Sequence, residues 1–160
     1  MKLFACLFVL LATAPVALAG TNCTDRPECW PEGSAMNMGL TAVQQRDATQ
    51  KELARAYTKL VALVSSTNEV LGEEIAKPLQ AAQDEWYKYS NAECSLVGAL
   101  TGAGGSWPST YTVQCELGLA YQRLRRVRSA TRCINREIKV GYGLDWTNCL
   151  QQLAPIVNRM

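Results

Sequence analysis

Cys94 and Cys115 stand ten residues to either side of the pair Gly104-Gly105, and no other feature restricts the fold of this chain as much. If the chain doubles back at the glycines, the two thiols meet. A disulfide needs α-carbons within about 7 Å of each other, and the symmetry supplies that without distortion. The segment before the turn reads Ala82-Gln83-x-x-Trp86-x-x-Tyr89-x-x-Ala92-Glu93-Cys94, with apolar residues at helical spacing. The segment after it, through Cys115, is helical in the same way. The pattern predicts an antiparallel helical hairpin closed at its mouth by a covalent bond.

The other cysteines extend this reading. Residues 1–19 have the form of a signal peptide: Lys2, an apolar run from Leu3 to Leu11, then the small-residue site Ala17-Leu18-Ala19. Removing them takes Cys6 away and leaves Cys23, Cys29, Cys94, Cys115, Cys133 and Cys149, an even number in an exported chain. Six cysteines allow 15 pairings. Cys133 and Cys149 are again symmetric, about Gly141, which favours the pairs 94–115 and 133–149 with 23–29 as a small N-terminal staple. No C-x-x-C and no histidine is available to build a zinc site. No later apolar run reaches the roughly 18 residues that span a bilayer. The expected product is a periplasmic or secreted single domain, residues 20–160.

Along the chain, residues 20–40 read as an irregular stapled loop, because Pro27, Pro31, Gly33 and Gly39 interrupt any period. Trp30, Met36 and Met38 fit a flap over the helices, either packed or mobile. Thr41-x-x-Gln44 fits a capping box, and Leu53, Tyr57, Leu60 and Val64 carry the first helix to a break at Ser65-Ser66-Thr67-Asn68. Gly72 and Pro78 argue against one uninterrupted second helix, so a short piece before Lys77 and a main helix over 78–100 are expected. Its seam would be Leu79, Ala82, Trp86, Tyr89, Glu93, Leu96 and Leu100, with Glu93 either at a frayed end or in need of a buried partner. The third helix, 110–140, presents Val113, Leu117, Ala120, Leu124, Val127, Thr131, Ile134 and Ile138. Trp86, Tyr89, Leu117, Ala120 and Leu124 should form one core layer. Gly141 and Gly143 stop the third helix, and a last helix over 144–154, capped by Asp145, completes an all-α, disulfide-stapled bundle.

Charge and chemistry exclude several functions. With 16 basic and 14 acidic residues the balance is near neutral, which argues against a dedicated nucleic-acid binder. The charges are segregated, however. Residues 67–93 hold six acids and two lysines, whereas 121–140 hold seven bases and Glu137 alone as an acid. Adjacent antiparallel helices would attract weakly through these faces. The lack of histidine removes triad chemistry that uses it as a base. Glu73-Glu74 and Asp84-Glu85 are sequence neighbours that diverge around a helix and cannot converge as hydrolase carboxylates do. Gly102 to Gly105 lacks the lysine of a phosphate loop. No enzyme, cofactor or metal is expected. What stands out is the loop 101–110, braced at its base and carrying Trp107 where an aromatic anchor would be displayed.

Taken together, the block Gln83, Trp86, Tyr89, Glu93 and Cys94, then Gly104-Gly105-Ser106-x-Pro108, then Cys115 with Arg123 eight residues on, resembles the LprI-type lysozyme-inhibitor family of exported bacterial proteins. Glu52-Leu53-x-x-x-Tyr57 fits that family's first helix. The resemblance covers residues 36–127 and leaves the tail with Cys133 and Cys149 outside. It implies a protein that binds and inhibits lysozyme; the other reading is an envelope structural or interaction module without lysozyme affinity. Gly104, Gly105, Ser106, Trp107 and Tyr111 are the expected partner-binding residues. Arg123, level with Trp86 when counted outward from the turn, should make a structural cation–π or hydrogen-bonding contact.

Overall fold

The structure, a computed structural model, describes residues 23–140 and 146–153. Three long helices dominate: α1 (Ala35–Thr67), α2 (Glu69–Leu100) and α3 (Trp107–Val140). A 3-10 turn, Pro27–Cys29, precedes them and a 3-10 helix, Trp146–Leu153, follows. The architecture is all-α and stapled as expected, with Cα separations of 5.6 Å for Cys23–Cys29, 5.4 Å for Cys94–Cys115 and 5.6 Å for Cys133–Cys149. The expected signal peptide, Gly141, Gly143 and the Asp145 cap lie outside the described residues.

The helices run up, down and up. Tyr57 and Leu79, equidistant from Asn68, are joined by a 2.6 Å hydrogen bond from the phenol to the Leu79 carbonyl, so α1 and α2 are antiparallel. The Cys94–Cys115 bond makes α2 and α3 antiparallel in turn. Arg46 of α1 pairs with Glu116 of α3 at 2.7 Å, and Glu52 with Arg128, which puts α1 and α3 side by side in the same direction. The shared core contains Leu53, Tyr57, Leu60 and Val64 of α1, Leu124, Val127, Ala130 and Ile134 of α3, and Trp146, Cys149 and Leu153 of the last element. Burying side chains of this size contributes about 1.5–3 kcal/mol each relative to exposure.

Several boundaries differ from expectation, each for a local reason. α1 begins at Ala35, inside the stretch read as loop, because Ser34 is its cap and accepts from Asn37 N at 3.2 Å. Thr41 therefore caps nothing; its hydroxyl donates to Asn37 O one turn back. Gly39, read as a breaker, sits where an added Cβ would come within 2.7 Å of Thr110 Oγ1, so it serves close packing. The N-terminal loop is tied to this start, with Asn37 Nδ2 donating to Pro27 O at 2.9 Å. Ser65, Ser66 and Thr67 complete α1, and Asn68 alone forms the break, accepting from Val70 N and Leu71 N. α2 is continuous through Pro78. Proline there costs the bond to the Glu74 carbonyl, but both residues are exposed and water can reach that oxygen. α3 starts at Trp107, with Pro108 accommodated in its first turn. The last element is a 3-10 helix over 146–153, and Trp146 is buried beneath it.

The largest correction concerns the seam of α2. Leu79 is buried and Trp86 half-buried, but Ala82, Tyr89, Glu93, Leu96 and Leu100 face solvent. The inner face is Leu79, Gln83, Ser90, Cys94 and Gly98, about one residue around the helix. Small side chains let the backbones approach: a Cβ on Gly98 would lie 2.7 Å from Pro108 O. The expected five-residue layer is reduced accordingly. Ala120 and Leu124 are buried, Trp86 and Leu117 are half-buried, and Tyr89 is outside it. Glu93 needs no buried partner, since it is exposed. The opposite charges of α2 and α3 do not neutralise each other either. No ion pair among the described residues joins these two helices; Lys88 pairs with Glu85 within α2, and Arg128 with Glu52 of α1.

Candidate functional site

The tip between α2 and α3 is small and braced. Gly102 and Gly105 have φ of +61° and +65°, a conformation glycine adopts without strain. Gly104 and Gly105 are exposed, and Ser106 is half-buried. Trp107 is not displayed at the apex: it is the first residue of α3, half-buried, with its ring centroid 5.8 Å from that of Tyr111. Below this pair the buried Thr110 hydroxyl lies within donating distance of Ala35 O (2.8 Å) and Ser106 O (3.0 Å) and shares its one hydrogen between them, so the tip is tied to the start of α1 as well as by Cys94–Cys115.

The outward face of α2 extends this tip. Tyr89, Leu96 and Leu100 are 56%, 54% and 75% exposed and recur at spacings of seven and four, which places them along one side of the helix. Glu93 lies between them on that side. Val97 and Tyr111 are also exposed nearby in sequence. An apolar row with an acid set in it thus leads to the braced tip. Sequence reasoning assigned these residues to the core because large apolar side chains at three–four spacing normally face inward. The one available sign was Glu93, a charge in the middle of the stripe.

The remaining motif residues form a second centre on the other side of Trp86. Arg123 is 6% exposed and lies between two rings, its guanidinium carbon 5.7 Å from the Trp86 centroid and 5.8 Å from that of Tyr57. Its Nε donates to Gln83 Oε1 at 3.0 Å and Nη1 to the Leu153 carbonyl at 2.6 Å. The expected structural contact is therefore present, and it joins α1, α2, α3 and the last element. Burial holds the Arg123 guanidinium below the ordinary arginine value and pushes the Tyr57 phenol above its own. Tyr57 is a neutral donor at physiological pH. Sequence offered no sign of the Leu153 carbonyl, which comes from the tail. Of the ten residues expected at partner-binding or motif positions, Gln83, Trp86 and Arg123 converge here. Tyr89 and Glu93 lie on the outer row, and Gly104, Gly105, Ser106, Trp107 and Tyr111 gather at the tip.

Comparison with known proteins finds an uncharacterized protein of Rhizobium meliloti, 28% identical over 108 residues, which covers 64% of this chain and 77% of that protein. No solved structure matches. The family model for the lysozyme inhibitor LprI matches residues 29–127, which hold the N-terminal staple's Cys29, α1, α2, the tip and α3 as far as Val127, Arg123 included. On that match, spanning more than half of its length, the chain belongs to the LprI lysozyme-inhibitor family.

Proposed function

We propose that this protein is an extracytoplasmic binding protein that inhibits lysozyme, and that it does so with the tip Gly104 to Tyr111 and the adjoining outer row of α2. The observation that carries this reading is the exposed row Tyr89, Glu93, Leu96 and Leu100 ending at a turn that is covalently braced. Exposed apolar side chains in a contiguous row mark interaction sites more often than chance exposure does. Lysozymes hold sugar chains in a long cleft, and common animal lysozymes are strongly basic. A narrow braced turn suits entry to or capping of a cleft, and a surface already ordered loses less entropy on docking. Glu93, exposed within the row, gives this side the sign that a basic enzyme requires. Trp107 and Tyr111, as a pair of rings at the base of the tip, are the aromatic anchor in this reading.

Clearing of cell-wall suspensions by lysozyme tests the proposal, with the parent, Trp107→Ala, Leu100→Asp and Glu93→Lys compared at equal concentration. The expected result is inhibition by the parent, with each variant weakened at least about tenfold, the equivalent of 1.4 kcal/mol. If Trp107→Ala inhibits like the parent, the tip is only a turn. If the folded parent leaves a panel of lysozymes untouched, the envelope interaction module replaces the inhibitor.

A further inference from the structure

Arg123 is a buried cation with no carboxylate partner among the described residues. Its hydrogen bonds go to neutral acceptors, Gln83 Oε1 and Leu153 O, and its faces to two aromatic rings, while none of the ion pairs among the described residues includes it. A buried charge is costly unless it is paired, and neutral partners leave its charge uncancelled. Beside it a second group is unsatisfied. Gln83, 6% exposed, turns its oxygen to Arg123, which fixes the amide so that Nε2 finds no acceptor among the described residues. Buried polar atoms without partners are uncommon enough in native proteins to ask for a reason.

Arg123 also lines a groove of about 910 Å³ between α2, α3 and the last element. Its walls are apolar (Leu79, Ala82, Trp86, Leu119, Leu150 and Leu153), and Glu85, Gln122 and Arg126 are at the rim. Glu85 is bonded to Lys88 at 2.8 Å, so the rim's acid already has its cation. A groove of this volume is within the range of small-molecule sites. An apolar trough with an uncancelled buried cation in its wall suits one kind of molecule.

We propose that this groove binds an amphipathic anion of the fatty-acid class, a single alkyl chain ending in a carboxylate. The carboxylate accepts from Arg123, and the chain lies along Leu79, Trp86, Leu119 and Leu150. The site does not rest on the lysozyme reading. Tyr89 alone is common to the groove and the outer row, and the readout below involves no lysozyme.

The test titrates the full, oxidised protein with dodecanoate below its micelle concentration, followed by calorimetry and by tryptophan fluorescence, since Trp86 lines the groove. Dodecanol and dodecyltrimethylammonium serve as headgroup controls. The expected result is saturable one-to-one binding of dodecanoate, at least about tenfold tighter than of either control, because a charge-assisted bond to a carboxylate is stronger than one to a neutral hydroxyl. Ala82→Trp, at an exposed α2 position on the groove wall, should abolish binding without lowering the melting temperature. Arg123→Gln should bring the carboxylate to the affinity of the alcohol; if that variant does not fold, the headgroup series and Ala82→Trp decide. Absence of saturable binding, equal affinity for dodecanoate and dodecanol, or full binding by Ala82→Trp each overturns the proposal. So does a parent that fails to bind while a chain ending at Leu153 binds, since the groove would then belong to residues 154–160.

Discussion

The same substitution, glycine to alanine, should have opposite effects on stability at two helical positions, Gly98 and Gly118. Gly98 and Gly118 both lie inside helices, where alanine is favoured over glycine by about 0.8–1 kcal/mol. At Gly118 an added Cβ meets nothing within 4 Å, so the whole of that preference is realised. At Gly98 the Cβ would fall 2.7 Å from the Pro108 carbonyl oxygen and closer still to Thr112 Oγ1. The hydroxyl can move, though it gives up its 3.0 Å bond to Pro108 O; the backbone oxygen cannot move without shifting the start of α3. That start is held by Cys94–Cys115 and by the Thr110 hydroxyl. Overpacking of this kind costs about 1–3 kcal/mol, which exceeds the helix preference. Gly118→Ala should therefore gain about 1 kcal/mol and Gly98→Ala lose about 1 kcal/mol, net. For a domain of this size, the two melting temperatures should differ by roughly 6–10 °C, as followed by circular dichroism under oxidising conditions. A Gly98→Ala protein as stable as Gly118→Ala would refute the close approach of α2 and α3 and with it the inward face assigned to α2.

Two further outcomes can be checked on the same instrument. Replacing Cys94 and Cys115 together by serine opens a loop with a sequence separation of 21 and should cost about 3 kcal/mol in the chain-entropy model, seen as a melting temperature lowered by about 10 °C. Burial raises the Tyr57 pKa, so the folded state holds its proton more tightly than the unfolded state does. That contribution is fully present below the ordinary tyrosine value of about 10 and is lost as pH rises through the folded value; Tyr57→Phe should be less stable at neutral pH but should lose less than the parent on going to alkaline pH.

The legible parts of this fold were those fixed by distance along the chain. Cysteines symmetric about a turn predict their own pairing, and Arg123 opposite Trp86 follows from the same count outward from Gly104-Gly105. The α1 stripe of Leu53, Tyr57, Leu60 and Val64 was legible because its large residues do face inward. α2 was misread because periodicity weighs side-chain size, while its inner face is Gln83, Ser90, Cys94 and Gly98, chosen for polarity or smallness. Trp146 was passed over since one aromatic residue in a short segment has no period, yet it is among the most buried side chains. The start of α1 was obscured by Gly39, whose reason is contact with Thr110, a residue far along the chain.

The manner in which α2 is held explains how one small bundle can offer two surfaces. α1, α3 and the last element supply nearly all of the buried apolar cluster, to which α2 gives Leu79. α2 is instead fastened at separate heights: the Tyr57 phenol on the Leu79 carbonyl, Arg123 on Gln83, and the disulfide at Cys94. These fastenings use a backbone oxygen, an amide and a sulfur, none of which needs a large apolar side chain on α2. Trp86 is thereby free to wall the groove, and Tyr89, Leu96 and Leu100 to face outward. Exposed substitutions away from packed or bonded groups usually change stability by no more than about 0.5 kcal/mol. Changes to the outer row should therefore alter binding while leaving the fold intact, and loss of inhibition in Leu100→Asp or Glu93→Lys can be read as a loss of contact. Arg123 has no such separation, because it pins four elements at once. Hence the groove is better probed from its exposed wall at Ala82 than from the cation at its floor.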